Sequence, residues 1–323
     1  MTDSLVQTLS VLFAAVVFPG GIFAITLGLA LKGFDRRVFA RLQRRVGAPL
    51  LQPFYDVLKL MTKRTLVPEN ANLVVFLMVP LLGLASMGVA AAMIPIPGLY
   101  DPSPAFGDLL VLFYLLSVPA VMLMLAGSAS GSPFGGIGFS REMAIMLAYE
   151  GPILLVIVSV ALKTGAALGQ PICLSLSEIV RYQQVHGAYL FDPWMWPAVL
   201  TYIAFIPANL GISPFDIPEA ESEVLEGPLI EYSGVALGLL KLTSAVKSVV
   251  VIGLGIVLFF PNGPEGLFGL VVFALKCLVI TVCGVSVLRA AVGRMRIDQA
   301  VIFYLKWPEL LGIASLALVA MNL

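Results

Sequence analysis

The residues with the most chemical capacity are six carboxylates in SPFDIPEAESEVLEGPLIEYSG, between Ser213 and Gly234: Asp216, Glu219, Glu221, Glu223, Glu226 and Glu231. No Lys or Arg lies among them, and strongly apolar segments flank them on both sides. Charge beside a bilayer is costly and marks function by default. A loop that served only solvation would mix both signs. Carboxylates in such a place can take up and release protons. Asp216, Glu219, Glu223 and Glu226 are spaced three, four and three apart, which predicts one face of a helix. Asp216 with Glu219, and Pro218 between them, fits an acidic capping box. The plain alternative is that single acids among them merely cap a surface helix.

Glu142 and Glu150 fall within one apolar segment, eight residues or about 80° apart on a helix, so both can face one interior. An ionised acid at mid-bilayer costs roughly 2.5–3.5 kcal/mol on insertion scales. Glu142 is near the end of its segment, where its side chain can reach water. Glu150, in LAYEGP, is deeper. Lys241, Lys247 and Lys276 are also intramembrane charges, and Lys241 follows Glu231 closely enough to neutralise it. Buried ions are usually paired, so pairing alone would account for each lysine. Taken together, Glu142, Glu150, Asp216, Glu219, Glu223, Glu226, Glu231 and Lys241 form a candidate file of proton-exchanging groups running from the cytoplasmic side into a helix bundle.

The elements that must position this file are transmembrane. The chain is 59% hydrophobic and 12% charged, against a soluble norm of about 25% charged. Eight segments reach the length of about 20 apolar residues needed to cross a bilayer: 5–31, 73–96, 108–127, 141–163, 194–212, 234–260, 266–288 and 303–322. The gaps between them are mostly short, so residues 1–323 form a single all-α polytopic membrane domain without internal repeats. The first segment has no basic leader, with Asp3 its only early charge, and its apolar run is too long for a signal peptide. It is expected to stay as a helix.

Charge orients the chain. The connection from Lys32 to Asn72 holds nine basic residues, while the opposite side has only Lys163 and Arg181. The positive-inside rule then places both termini outside and the basic connections in the cytoplasm. The acidic connection 213–233 shares that side although it carries no cation. Within the docking connection 33–72, Leu50, Phe54, Val57, Leu58 and Met61 recur at helical spacing, which predicts an amphipathic helix after the first span. Such a helix rests on anionic lipid headgroups, or serves as a platform for a soluble partner through Arg44, Arg45, Gly47, Asp56 and Lys59.

Other chemistries find no support in the residues. Cys173, Cys277 and Cys283 form no CxxC, His186 is the only histidine, and no GxGxxG or GxxxxGK[ST] is present. Neither a catalytic centre, a metal site nor a nucleic-acid partner is expected, and no redox centre within this chain.

RRVGAPLLQP with Asp56 and Lys59, followed by PFDIPEAESE and EGPLIEYSG, resembles the membrane subunit that joins the two arms of respiratory complex I. It is equally similar to the homologous subunit of membrane-bound [NiFe]-hydrogenases, including the formate-hydrogenlyase and energy-converting types. The likeness spans nearly the whole chain. Complex I members carry a longer stretch where Gly47-Ala48-Pro49 here runs directly into Leu50-Leu51-Gln52-Pro53, so the compact form points to the hydrogenase branch and away from a quinone chamber. Ala48 replaces a proline common to both branches, Tyr149-Glu150 matches a Tyr-Glu pair of the family, and Met146 stands where complex I often has a polar residue. The resemblance implies an inner-membrane subunit of a respiratory oxidoreductase that anchors a soluble arm and couples electron transfer to proton or sodium movement. It implies as partners the large and small hydrogenase subunits, a ferredoxin-like subunit and antiporter-like membrane subunits. The nickel–iron centre and iron–sulfur clusters would belong to those chains. The family's acidic file is carried over to Glu150, Asp216, Glu219, Glu223 and Glu231. The alternatives are a quinone-reducing complex I subunit and, from another class, a stand-alone secondary ion transporter, which would show paired repeats and interrupted helices.

Overall fold

A computed structural model describes residues 11–102 and 106–322, without the side chains of Glu221 and Ser222. Asp3 and the first residues of the expected 5–31 span lie outside the described residues. The fold is an all-α membrane bundle. Its elements are α1 (Gly21–Leu42), α2 (Gln52–Thr62), α3 (Leu73–Ala92), α4 (Leu109–Ala129), α5 (Pro133–Ala167), α6 (Leu176–His186), α7 (Trp196–Asn209), the single turn α8 (Glu221–Val224), α9 (Gly234–Phe259), α10 (Leu267–Ile280), α11 (Val287–Ala291) and α12 (Ile297–Met321).

Among the described residues, seven helices are long and apolar enough to cross a membrane. The eighth expected span, 194–212, is realised as α7, whose 14 residues extend only about 21 Å. Proline chemistry and a left-handed glycine keep it short. Pro193 opens a separate 3-10 turn capped by Asp192, and Gly211, at φ +61°, closes α7 at the other end. The remaining segments of the expected set all become long helices, several beyond the expected limits. In particular, α1 continues through Lys32, Asp35 and Arg36 to Leu42.

α9 is the central column. Buried residues make up 94% of its membrane-length window, against 22–56% in the other six. α1 approaches it closely because Gly28 carries no Cβ, which would collide with the backbone of Ala245. α5 and α12 pack along each other on the far side of α7. A π-helical turn at Thr281–Ser286 joins α10 to α11 and turns Ser286 toward α1, where its hydroxyl donates to Asp35 at 2.6 Å. Arg289 also reaches Asp35, at 3.3 Å, and lies over the Phe39 ring.

Two faces of the bundle are defined by contacts between chain reversals. On one, Leu66 N–H donates to Ser233 Oγ at 2.9 Å, Asn72 N–H to the Ala129 carbonyl at 3.0 Å, and Met295 N–H to the Pro214 carbonyl at 3.1 Å. That face gathers the basic connection, the acidic connection and the chain between α11 and α12. On the opposite face, Gly266 bonds Gly98, Leu109 bonds Leu174, and Gln183 donates to the Val257 and Leu258 carbonyls. Short as it is, α7 links the two faces. The described chain therefore passes between them eight times, and Val11 and Asn322 both lie toward the face opposite the basic connection.

Candidate functional site

The early end of α7 leaves room at the basic face, and the acidic connection folds into it. Phe215, Ile217, Pro218 and Ala220 are buried there, with the Phe215 ring edge-on to Tyr304 of α12 at 5.0 Å. The connection is not the continuous helix that the carboxylate spacing predicts. Pro214, Pro218 and Pro228 deny it helical hydrogen bonds, and only Glu221–Val224 forms a turn, with no side-chain cap at Ala220. The expected capping box between Asp216 and Glu219 therefore has no helix to cap. Leu225, Glu226 and Gly227 are all left-handed, at φ +52°, +66° and +50°. Two non-glycine residues in that region store strain of the kind that clusters at functional sites. A Cβ on Gly227 would strike the Pro218 carbonyl, so this fold-back requires glycine.

The result is a cavity of about 320 Å³ bounded by α1, α2, α5, α9 and the acidic connection. Its charged lining consists of Lys32, Arg36, Asp56, Glu142, Glu219, Glu226, Lys241 and Lys247. Glu142 and Lys247 are buried; Lys32 donates to Ser244 Oγ at 2.6 Å. Asp56 accepts from Arg36 at 3.0 Å and from Gln52 at 2.9 Å. Burial pushes the Asp56 carboxyl upward, but the bonds from Gln52 and Arg36 outweigh it and hold the group below the usual carboxylate range. Glu219 goes the other way. Its burial raises the carboxyl pKa, and the opposing charges of Lys32 and Lys247 offset this only in part. Acids of unequal proton affinity around one polar space can pass a proton and hold it.

The remaining candidates divide. Asp216 is held by Arg294 at 2.8 Å and Glu223 by Arg141, so both acids tie the connection to its neighbours at the cavity rim. Glu231 and Glu150 lie outside the cavity lining. Glu150 shares α5 with Glu142, yet the 80° between them carries it from the cavity wall to an outer ridge with exposed Met143, Leu147 and Leu154. Lys241 lines the cavity instead of neutralising Glu231, which lies outside it. Lys276 is at the opposite face, donating to the Phe260 carbonyl at 2.8 Å and to that of Asn262. Arg44, at φ +58°, and Arg45 are exposed, Lys59 is exposed on α2, and Gly47 packs beside Arg37 and Ala40. Asp56 differs from these in pointing into the cavity. The compact connection at 47–53 does not close the junction: a cavity is present, contrary to the expectation of none. Among the described residues, no group of three or more His, Cys, Asp or Glu is placed to hold a metal ion.

Lys32 and Arg36 are the members of the lining that the sequence reading assigned to a loop. Their i, i+4 spacing would have marked them as one helical face had the first span been continued past residue 31. Residues 14–320 match the family described as NADH dehydrogenase. The chain belongs to that family. Among its relatives is an NADH-quinone oxidoreductase membrane chain of Thermomicrobium roseum, 35% identical over 317 residues and covering 88% of this chain and 87% of that one. Hydrogenase-4 component C of Escherichia coli is 32% identical over 264 residues, covering 77% and 78%. In fold, the chain is similar to one protein in the structure of the membrane-bound sulfane sulfur reductase, an archaeal respiratory membrane complex, with TM-score 0.85 and 28% identity over 96% of this chain and 99% of that one. The family places it as a membrane subunit of a complex I-like or hydrogenase-type respiratory complex.

Proposed function

We propose that this subunit anchors a soluble hydrogenase-type redox arm on its basic face and couples that arm's electron transfer to proton or sodium translocation through the charged cavity. The observation that carries the reading is the cavity itself. Four carboxylates and four cations surround one space directly beneath the exposed Arg44 and Arg45. A charge change in an arm seated there would act on them at short range and low dielectric. α2, with Val57 buried and Tyr55 and Leu58 exposed, lies along the cytoplasmic membrane surface as part of the platform. By the positive-inside rule this face is cytoplasmic and both termini lie outside an inner membrane.

The relatives include both quinone-linked and hydrogenase subunits. Two features favour the hydrogenase branch: the compact 47–53 connection, and a cavity whose eight charged side chains suit water and ions better than an apolar quinone tail. Nickel, iron and the clusters then belong to the large, small and ferredoxin-like partner subunits, with antiporter-like subunits alongside in the membrane. Arg45→Glu tests the platform. The soluble arm is expected to be lost on purification from native membranes while the membrane part keeps its yield, read by mass spectrometry of the companion chains. Recovery of the arm at the wild-type ratio would sink the docking role.

A further inference from the structure

Glu309 belongs to no part of the cavity, yet its position is the hardest in the chain to explain by packing. It lies in α12 twelve residues from either end, at 297 and 321, and so about 18 Å along the helix from each. Its carboxylate rests against the backbone of α5 at Gly151, where an added Cβ would stand 2.9 Å from Glu309 Oε2. Oε2 is shielded from solvent and has no hydrogen-bond donor. Gly151 follows Glu150 directly. Each of these two glutamates also stands beside a helix-interior proline, Pro152 in α5 and Pro308 in α12. Having no N–H, those prolines leave the carbonyls of Ala148 and Tyr304 without their helical donors. The nearby cation, Lys306, lies over the Trp307 ring at 5.3 Å.

A shielded acid without a donor in mid-membrane is expensive to keep, and acids so placed mark ion pathways. Interrupted helices that face each other with carboxylates and free carbonyls are the way membrane proteins build ion sites at the midplane. We propose that Glu309 is a second mid-membrane carboxylate of the ion path, acting with Glu150 across the seam between α5 and α12. This rests on the coupling reading above. In the transfer, the proton leaves the Glu150 carboxyl, the new O–H bond forms at the Glu309 carboxylate, and Glu150 is left as the anion.

The test uses the whole complex in sealed liposomes, driven by reduced methyl viologen, with proton uptake read from a pH-sensitive dye and set against electrons consumed. Glu309→Gln keeps shape and packing but cannot exchange a proton. The pumping ratio is expected to fall about tenfold or more, within the range of lost proton-transfer groups, with subunit composition and electron transfer unchanged. Glu309→Asp should recover part of it. Gly151→Ala, which displaces the carboxylate without altering charge, should lower the ratio as well and serves if Glu309→Gln fails to assemble. Wild-type pumping by Glu309→Gln, or by Gly151→Ala where that variant is the one that assembles, overturns the proposal alone. A wild-type complex that moves no ions overturns the coupling reading and this proposal with it.

Discussion

The two faces of the bundle treat charge in opposite ways. At the face away from the basic connection, each intramembrane or rim cation is matched by a local partner: Lys163 by Asp192, Arg181 by Asp101, and Lys276 by two carbonyls with the Phe260 ring 4.1 Å from its nitrogen. At the basic face, charges of both signs surround a shared space, and few are tied one to one. Arg36 holds Asp56, while Glu142, Glu219, Glu226, Lys241 and Lys247 face the cavity together. Closed pairs of the first kind fix structure. A group of charges around polar space can change its proton count without unfolding anything. The number of charges is similar on the two faces, so their arrangement rather than their abundance separates anchoring from function.

The largest effect should come from Glu142, the buried acid of the cavity wall. Glu142→Gln preserves size and one acceptor but removes the exchangeable proton. Ion translocation per electron is expected to fall about 10²-fold, the lower range for loss of a positioned proton-transfer group, with normal assembly. Dye quenching in sealed vesicles measures it, and pumping at the wild-type ratio would place the path elsewhere. Lys276→Met makes the contrast. It removes the bonds to Phe260 and Asn262, at a cost of about 1–3 kcal/mol for the carbonyls left unpaired. The thermal midpoint in detergent, followed by tryptophan fluorescence, should drop while the pumping ratio stays unchanged. A loss of pumping without a loss of stability would contradict the division between faces.

Much of the bundle could be read from the chain because apolar length and burial in lipid follow the same rule. The segments that became α3, α4, α5, α9, α10 and α12 show this. α7 escaped it: its 14 residues carry the right composition, but Pro193 and Gly211 set its ends, and hydropathy is blind to where a helix stops. The cavity was legible only in part. Spacing brought out Asp216, Glu219, Glu223 and Glu226 as one set, and the structure keeps Glu219 and Glu226 in the lining while Arg294 and Arg141 take the other two. Nothing in spacing reports a prolyl break, and once helical phase is lost the period of 3.6 assigns no face. Lys32 was missed for the opposite reason, because charge was taken as the end of a helix that in fact continues for ten more residues, to Leu42.

The finest distinction concerns a single proton. Burial raises the Glu219 carboxyl pKa above its ordinary 4.5, with Lys32 and then Lys247 pulling it back. The sign follows directly. A raised carboxyl pKa favours the neutral form in the folded protein, so its contribution to stability is present below pH 4.5 and is lost as pH rises through the raised value. Infrared difference spectra of the complex should then keep a protonated-carboxyl C=O band above pH 4.5 that is absent in Glu219→Gln. Lys32→Met, which removes the strongest opposing charge, should move the loss of that band to higher pH. Asp56→Asn should leave the band in place, since Gln52 and Arg36 already hold that carboxylate ionised. Identical spectra for wild type and Glu219→Gln throughout this range would mean that Glu219 is an ordinary ionised acid. The cavity would then differ from the opposite face only in geometry, with no acid kept ready to exchange its proton.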